Sequence, residues 1–185
     1  MGKQSIGILV GSLRRDSFSK KVAAHLAMLL EAQFDITFLD PAPLSMYNQD
    51  LDNVADTPQS WLDFRNAVRA VDAVLFVTPE YNRSMPPVLK NALDIASRPM
   101  AENAWSKKPG AVVSVSPSRI GGFGANQHLR QSASCLNIYM MQQPEAYVSD
   151  IADSVGTNGV TDKQTQDFLQ KFADAFAGWI HTVLE

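Results

Sequence analysis

The chain has very little cysteine, with Cys135 as the single thiol among 185 residues. One thiol has no partner for an internal disulfide and cannot form the multi-cysteine cluster of a structural zinc site. A free thiol also suits a reducing compartment. The pattern Ala133-Ser-Cys-Leu136 is typical of a helix packed on a sheet. We therefore expect Cys135 to be a buried core residue rather than a catalytic thiol.

The sequence also lacks a long apolar run, since no segment approaches the roughly 20 residues that a membrane-spanning helix requires. The first residues, Met1-Gly-Lys-Gln4, lead directly into an apolar segment and leave no room for a secretory signal. An excess of charge is missing as well: 16 basic and 19 acidic residues give a net charge of −3. Without a basic field to attract polyanions, we expect no binding to nucleic acid or to anionic membranes. Without a signal or a membrane span, we expect a cytoplasmic protein.

Two glycine signatures of nucleotide-binding proteins are absent after the first apolar run. Neither G-x-x-x-x-G-K-[ST] nor G-x-G-x-x-G occurs there, which disfavours nucleotide hydrolysis and a standard dinucleotide-binding Rossmann site. The run is followed instead by a loop rich in hydroxyl groups. Such a loop suits a mononucleotide, whose single terminal phosphate lies above the first strand of the sheet.

The opening segment predicts a buried strand, a turn at Gly11 and then a helix, because residues 6–10 are apolar and largely β-branched. Three hydroxyls and a guanidinium follow the turn: Ser12, Ser17, Ser19 and Arg14. Free N–H groups and the helix dipole favour an anion at a helix N-terminus, and a guanidinium suits phosphate. The alternative is that Asp16, Ser17 or Ser19 merely caps the helix while the arginines face solvent.

Apolar runs alternate with helical patterns along the rest of the chain. The further strand-like runs are 34–39, 73–77, 111–115 and about 137–141. In the last predicted helix, four apolar residues recur at intervals of four and form a stripe that faces the sheet: Phe168, Phe172, Phe176 and Ile180. Five strands that alternate with helices predict a doubly wound α/β fold with a parallel sheet, and we expect a single domain over residues 1–185.

Polar loops follow the third and fourth predicted strands. Pro79-Glu-Tyr-Asn82 combines an aromatic face with an amide, as a flat heteroaromatic ligand requires, although an ordinary polar turn is the alternative. The segment 114–124 adds hydroxyls and glycines. Ligands of open parallel sheets bind beyond the carboxyl ends of the strands, so we expect the three loops to form one crevice. The irregular segment 41–58 covers a ligand, contributes to a subunit contact or is a solvated connector.

These motifs together resemble the NADPH-dependent FMN reductase family, and within it the bacterial quinone and chromate reductase branch. The resemblance is carried by Gly-Ser-Leu-Arg at 11–14 with Ser17 and Ser19, by Thr-Pro-Glu-Tyr-Asn at 78–82, and by Leu-Lys-Asn-Ala-Leu-Asp at 89–94. It extends over roughly residues 5–148.

The resemblance implies a flavodoxin-like, three-layer α/β/α fold with a five-stranded parallel sheet of order 2-1-3-4-5 and non-covalently bound FMN. By position, it assigns the FMN phosphate to the first loop: Ser12, Arg14, Ser17, Phe18 and Ser19. It assigns the flavin ring to the other two loops: Pro79, Glu80, Tyr81, Asn82, Ser116 and Ser118. It also implies a homodimer or homotetramer with active sites at the subunit contacts.

The function implied is an NAD(P)H oxidoreductase that reduces quinones by ping-pong hydride transfer through FMN, with chromate, azo or nitro compounds and free flavin as further acceptors. The donor is NADPH or NADH. Because the cofactor carries the chemistry, we predict no catalytic side chain and no metal. One alternative is a flavodoxin-type electron carrier, although such carriers usually offer an acidic docking face and this chain is only mildly charged. Another is a regulatory module for a non-redox phosphate ligand.

Overall fold

Six parallel strands form one sheet in the computed structural model, which describes residues 2–53, 55–157 and 159–185. The strands are β1 (Ser5–Val10), β2 (Asp35–Leu39), β3 (Ala73–Pro79), β4 (Pro109–Val115), β5 (Tyr139–Met140) and β6 (Ala146–Val148). They run in the order β2-β1-β3-β4-β5, with β6 also paired to β4. This order confirms the flavodoxin-like α/β fold that the resemblance implies.

Helices cover both faces of the sheet. They are α1 (Phe18–Leu30), α2 (Gln59–Ala70), α3 (Pro87–Ala96), α4 (Phe123–Cys135), α5 (Ile151–Ser154) and α6 (Lys163–Leu184). Two short strands, β7 (Val155–Gly156) and β8 (Gly159–Val160), form a separate antiparallel pair. Among the described residues, no helix is long and apolar enough to cross a bilayer.

The two faces of the sheet bury separate apolar clusters, because successive side chains of a strand point to opposite sides. On one side, Ile6 and Ile8 pack with the inner faces of α1 and α6. On the other side, Leu9 and Phe76 pack with α2, α3 and α4. The strands are therefore covered on both faces, as their continuous apolar sequences predict.

The fifth position of the sheet differs from the prediction of one strand near residues 137–141. Two short strands occupy it: β5 pairs with the start of β4 at Pro109 and Gly110, and β6 pairs with its end at Val113–Val115. Pairing with β4 ends at Met141, whose N–H donates to the Gly110 carbonyl, and it resumes at Ala146. Pro144, in the unpaired segment between them, has no N–H to offer the ladder.

The prediction that Cys135 is buried is wrong, because its side chain is exposed at the end of α4. The buried face of this helix carries Leu129 and Ala133, four residues apart. Cys135 lies two positions beyond Ala133, which places it on the far side of a helix with 3.6 residues per turn.

The segment 41–58 is an ordered connector on α2 and α3 in its described part, and Val54 lies outside the described residues. Asn91 of α3 is buried and accepts a hydrogen bond from the backbone N–H of Tyr47 at 2.8 Å. Asp52 forms an ion pair with Arg65 of α2 at 2.9 Å, and both side chains are at least nine-tenths buried. These polar contacts, rather than any sequence periodicity, fix the path of the segment.

The aromatic stripe of α6 supplies a test of the core. Phe176 is fully buried between α6 and the sheet. We expect Phe176→Ala to lower the free energy of unfolding by about 3–5 kcal/mol, because it removes buried apolar surface and leaves a cavity. Urea unfolding measures this change. Met100→Ala is the matched control: Met100 is exposed, so a loss of similar size in the control would contradict the assignment.

Candidate functional site

Three loops begin at the same edge of the sheet, because β1, β3 and β4 end almost level. Val10 lies beside Val77 in the pairing of β1 with β3, and Pro79 lies beside Val115 in the pairing of β3 with β4. The loops that start at residues 11, 80 and 116 are therefore neighbours. The prediction that the three loops lie at one edge of the sheet is therefore confirmed.

Gly11 joins the first loop closely to the end of β3. A Cβ atom at this position would lie 2.9 Å from the Thr78 hydroxyl oxygen and 3.3 Å from Cδ of Pro79. The Gly11 N–H also donates to the carbonyl of Val77 at 2.9 Å. The first and second loops are thus in direct contact, and the absence of a side chain at residue 11 permits that contact.

The serines of the first loop are buried around the N-terminus of α1. Ser17 is the N-cap of the helix, and its hydroxyl accepts a hydrogen bond from the N–H of Lys20 at 3.4 Å. Ser12 and Ser19 are also buried, yet their hydroxyls bond to no other described residue. Capping by Ser17 is therefore real, and it leaves two nearly hidden hydroxyls available to a ligand.

The backbone of the first loop offers an unusual number of free donors. Apart from that of Ser17, which closes the turn at residues 15–16, the N–H groups of residues 12–19 find no acceptor among the described residues. They lie at the N-terminus of α1, where the helix dipole adds partial positive charge, and the exposed guanidinium of Arg14 lies in the same loop. Hydroxyls, free N–H groups and a cation together match the acceptor oxygens and charge of a phosphate monoester. The loop thus fits the phosphate of FMN.

The second loop contains a tight turn at residues 81–84. Tyr81 and Ser84 exchange two backbone hydrogen bonds of 2.9 and 3.0 Å. Asn82 and Arg83 form the tip with φ values of 51° and 66°, a left-handed conformation that is uncommon for residues other than glycine. The N–H groups of these two tip residues have no acceptor in the described part of the chain, and the Tyr81 ring is exposed.

Glu80 attaches this turn to the N-terminus of α4. Its carboxylate is 11 % exposed and accepts hydrogen bonds from the Ala125 N–H at 3.1 Å and from the Arg83 guanidinium at 3.0 Å. A carboxylate at a helix N-terminus is also favoured by the helix dipole. The side chain of Glu80 therefore acts within the protein, and a contact between Glu80 and the flavin ring stays a prediction.

Two further contacts hold the turn against α4, and sequence analysis did not identify either. A Cβ atom at Gly124 would lie 2.6 Å from the Arg83 carbonyl oxygen, so the turn rests directly on the helix backbone. Nδ1 of His128 lies 2.9 Å from the Ser84 hydroxyl oxygen. The cluster of glycines at 121, 122 and 124 was the available signal, since glycine permits close approach of one backbone to another.

The third loop brings its two predicted serines together at the same edge. The hydroxyl oxygens of Ser116 and Ser118 lie 2.9 Å apart, and Ser116 also accepts a hydrogen bond from the Ser118 N–H at 3.1 Å. The Tyr147 hydroxyl, next to this loop, accepts a hydrogen bond from Gln127 at 2.7 Å. Burial raises the pKa of Tyr147, so it stays protonated and uncharged beside the loop.

The arrangement as a whole offers two environments to one ligand. An anion-binding end lies at the N-terminus of α1, and a rim with an exposed aromatic ring and free N–H groups lies over β3 and β4. A phosphate joined to a large flat ring would meet both. The predicted residues of all three loops thus lie at one edge, while their individual contacts with a cofactor stay predictions.

The contact between Gly124 and the turn supplies a second test. We expect Gly124→Ala to push the turn away from α4, because the added methyl would lie 2.6 Å from a backbone oxygen. A displaced turn should weaken the binding of FMN, measured by quenching of flavin fluorescence. Gly178→Ala, in open space on α6, should leave that affinity unchanged and raise stability by about 0.5–1 kcal/mol. Equal FMN affinity in both variants would contradict the role of the turn.

Comparison with known proteins identifies relatives of this chain. The family model described as NADPH-dependent FMN reductase matches residues 5–153. A quinone reductase of Pseudomonas putida is 48% identical over 176 residues, which cover 95% of this chain and 94% of the relative. A 2-hydroxy-1,4-benzoquinone reductase of a Burkholderia species is 44% identical, with 95% of each chain covered.

A solved structure agrees with these sequence matches. FerB, a flavoenzyme NAD(P)H:acceptor oxidoreductase from Paracoccus denitrificans, superimposes with a TM-score of 0.90 at 40% identity. The match covers 97% of this chain and 98% of FerB. The likeness suggested by the sequence motifs is thereby confirmed, and the chain belongs to the NADPH-dependent FMN reductase family.

Proposed function

We propose that this chain is an FMN-dependent NAD(P)H oxidoreductase that reduces quinones. The observation that carries the proposal lies around the N-terminus of α1: most N–H groups of the first loop, and the hydroxyls of the buried residues Ser12 and Ser19, have no partner among the described residues. Relatives that cover nearly the whole chain are named quinone reductases, which supports the choice of acceptor. Chromate, azo and nitro compounds and free flavin are further acceptors that the proposal includes.

The cofactor would be held by the three loops. The first loop would bind the phosphate through Ser12, Arg14, Ser17, Ser19 and the backbone of Phe18. The second and third loops would border the ring through Pro79, Glu80, Tyr81, Asn82, Ser116 and Ser118. Hydrogen bonds to a charged group contribute roughly 1.5–3 kcal/mol each, so a few of them suffice for tight non-covalent binding.

When bound, FMN supplies the redox chemistry, in which NAD(P)H, a proton and a quinone become NAD(P)⁺ and a hydroquinone. The residues of the chain supply position and electrostatics. The free N–H groups of Asn82 and Arg83 would stabilise negative charge that develops on the ring. Glu80 and Gly124 hold these donors in place before any ligand arrives, so little reorganisation is required.

The rim of the crevice supports assembly as a homodimer or homotetramer with active sites at subunit contacts. Tyr81, Ile120 and Phe123 are large apolar residues that are exposed around the second and third loops. Exposed apolar groups that cluster at one place commonly mark an interface. A second subunit would cover them and narrow the approach to the ring. A cytoplasmic location is likewise part of the proposal.

Direct measurements separate this function from the alternatives. We expect the purified protein to show the absorbance of a flavin near one per chain and to oxidise NADPH or NADH with a quinone. Initial rates measured against nicotinamide cofactor concentration, at several fixed quinone concentrations, should give parallel double-reciprocal lines. The reason is that donor and acceptor would bind over the same flavin ring one after the other. Intersecting lines would contradict the ping-pong order.

Two other outcomes would favour the alternative functions. A yellow protein without nicotinamide oxidase activity would be an electron carrier, and a colourless protein that does not bind added FMN would favour the regulatory module.

Arg14 tests the phosphate assignment. We expect Arg14→Ala to weaken FMN binding by about 1.5–3 kcal/mol, roughly ten- to a hundredfold, because a charged donor to phosphate is lost. Equilibrium dialysis against FMN measures the change. Arg69→Ala is the matched control, since Arg69 is a surface residue of α2 that pairs with Glu102. If both variants bind FMN as the unaltered protein does, the phosphate lies elsewhere.

A further inference from the structure

A buried polar cluster lies beneath the third loop, between β4 and α4. Its two central members are Ser114 on the strand and Asn126 on the helix, and both side chains are fully buried. They contact each other directly, because the Asn126 amide nitrogen donates to the Ser114 hydroxyl oxygen at 3.2 Å. Buried polar side chains whose atoms are all bonded make the structure around them rigid. The partners of each atom in this cluster therefore show which part of the chain it holds.

The orientation of the Asn126 amide is fixed by Arg130, one turn further along α4. The Asn126 amide oxygen accepts a hydrogen bond from Nε of Arg130 at 3.0 Å, and a guanidinium group can only donate. The amide nitrogen therefore faces the sheet, where its two hydrogens meet the Ser114 hydroxyl oxygen at 3.2 Å and the Ala146 carbonyl at 3.1 Å. The guanidinium of Arg130 is itself held by a bond of 2.9 Å to the Met141 carbonyl.

The direction of the Ser114 hydroxyl proton follows from this arrangement. The Ser114 oxygen lies 2.7 Å from the Gly121 carbonyl and 3.3 Å from the Ala146 carbonyl. Because Asn126 already donates to the Ala146 carbonyl, the proton is directed to Gly121, at the end of the third loop. The Gly121 N–H donates in turn to the Ser118 carbonyl at 3.2 Å. A chain of hydrogen bonds thus runs from α4 through β4 to the loop.

The third loop has little freedom to move at either end. Gly121 has a φ of 63°, and a Cβ atom there would lie 2.8 Å from the backbone of Tyr147, so this end of the loop rests on β6. At the other end, the Ser116 N–H donates to a carbonyl of β6 at 2.9 Å. The hydroxyl pair of Ser116 and Ser118 lies between these two attachments, and the buried cluster secures the second of them.

We propose that Ser114 and Asn126 are positioning residues for the flavin ring. The inference rests on the proposed function, in which Ser116 and Ser118 border the ring. Both positioning residues are fully buried and act on the ring only through the loop, whose hydroxyls they hold in place before the cofactor binds. Preorganised donors stabilise the charge that develops on the ring. The cluster thereby strengthens binding of the ring and raises the reduction potential of bound FMN.

Two variants of nearly unchanged size test the cluster. Ser114→Ala removes the hydroxyl that donates to Gly121. Asn126→Asp replaces the donating nitrogen with an oxygen that accepts, so it draws the Ser114 proton away from the loop, and it keeps Arg130 as a partner. Val112→Ala is the matched control. Val112 is buried on the same strand and the same side of the sheet as Ser114, and its side chain is apolar.

Riboflavin is the probe for the ring, because it lacks the phosphate that the first loop would bind. We expect both cluster variants to bind riboflavin and FMN about three- to tenfold more weakly, by the same factor for the two ligands, as quenching of flavin fluorescence measures. We also expect a more negative reduction potential of bound FMN, measured by equilibration with a reference dye. Arg14→Ala should weaken the binding of FMN alone, and Val112→Ala should change none of these values.

Unchanged riboflavin affinity and unchanged potential in both cluster variants would overturn the inference. An equal change in Val112→Ala would also overturn it, because the effect would then be a general loss of stability. Where riboflavin binds too weakly to be measured, the potential of bound FMN decides. If the variants change as expected but the protein reduces no quinone with NAD(P)H, the positioning role stands and the proposed function fails. If the protein reduces quinones and the cluster variants match the unaltered protein, the inference alone fails.

Discussion

The candidate site depends on one constraint, which is that β1, β3 and β4 end almost level at one edge of the sheet. Backbone pairing places Val10 beside Val77 and Pro79 beside Val115, so each strand releases its loop at one edge. A shift of one residue in this register would also turn the apolar side chains of a strand to the opposite face. Because both faces are buried, the core fixes the register, and the register in turn fixes the relative positions of the loops.

The second loop has an uncommon backbone conformation that contacts with neighbouring residues stabilise. Two consecutive non-glycine residues, Asn82 and Arg83, adopt positive φ values, and each such residue costs of order 1–3 kcal/mol when it is strained. The contacts of Glu80, Gly124 and His128 with this turn offset that cost. Helix α4 is therefore part of the structure that supports the site.

Sequence patterns predicted the parts of the molecule that local chemistry determines. The strand at residues 6–10 and the turn at Gly11 follow from β-branched residues and a glycine. The sequence also offered Asp16, Ser17 and Ser19 as candidate caps of the next helix, and Ser17 is the one that caps it. The patterns failed where tertiary contacts decide. Three features depend on which neighbour each residue meets, and a single sequence does not show this: the break in the fifth strand between Met141 and Ala146, the exposure of Cys135 and the attachment of Glu80 to Ala125.

The distribution of charge explains how a mildly acidic chain can bind anionic ligands. Arg14, Arg15, Lys20 and Lys21 place four of the 16 basic residues within eight positions of the sequence, with Asp16 as the one acidic residue among them. All lie around the first turn of α1, where the helix dipole has the same sign. The field is therefore local: it acts on a ligand already in the crevice or along α1 and is screened over about 8–10 Å at ordinary ionic strength. Such a field favours compact phosphates over extended polyanions, which need a basic surface rather than a basic helix end.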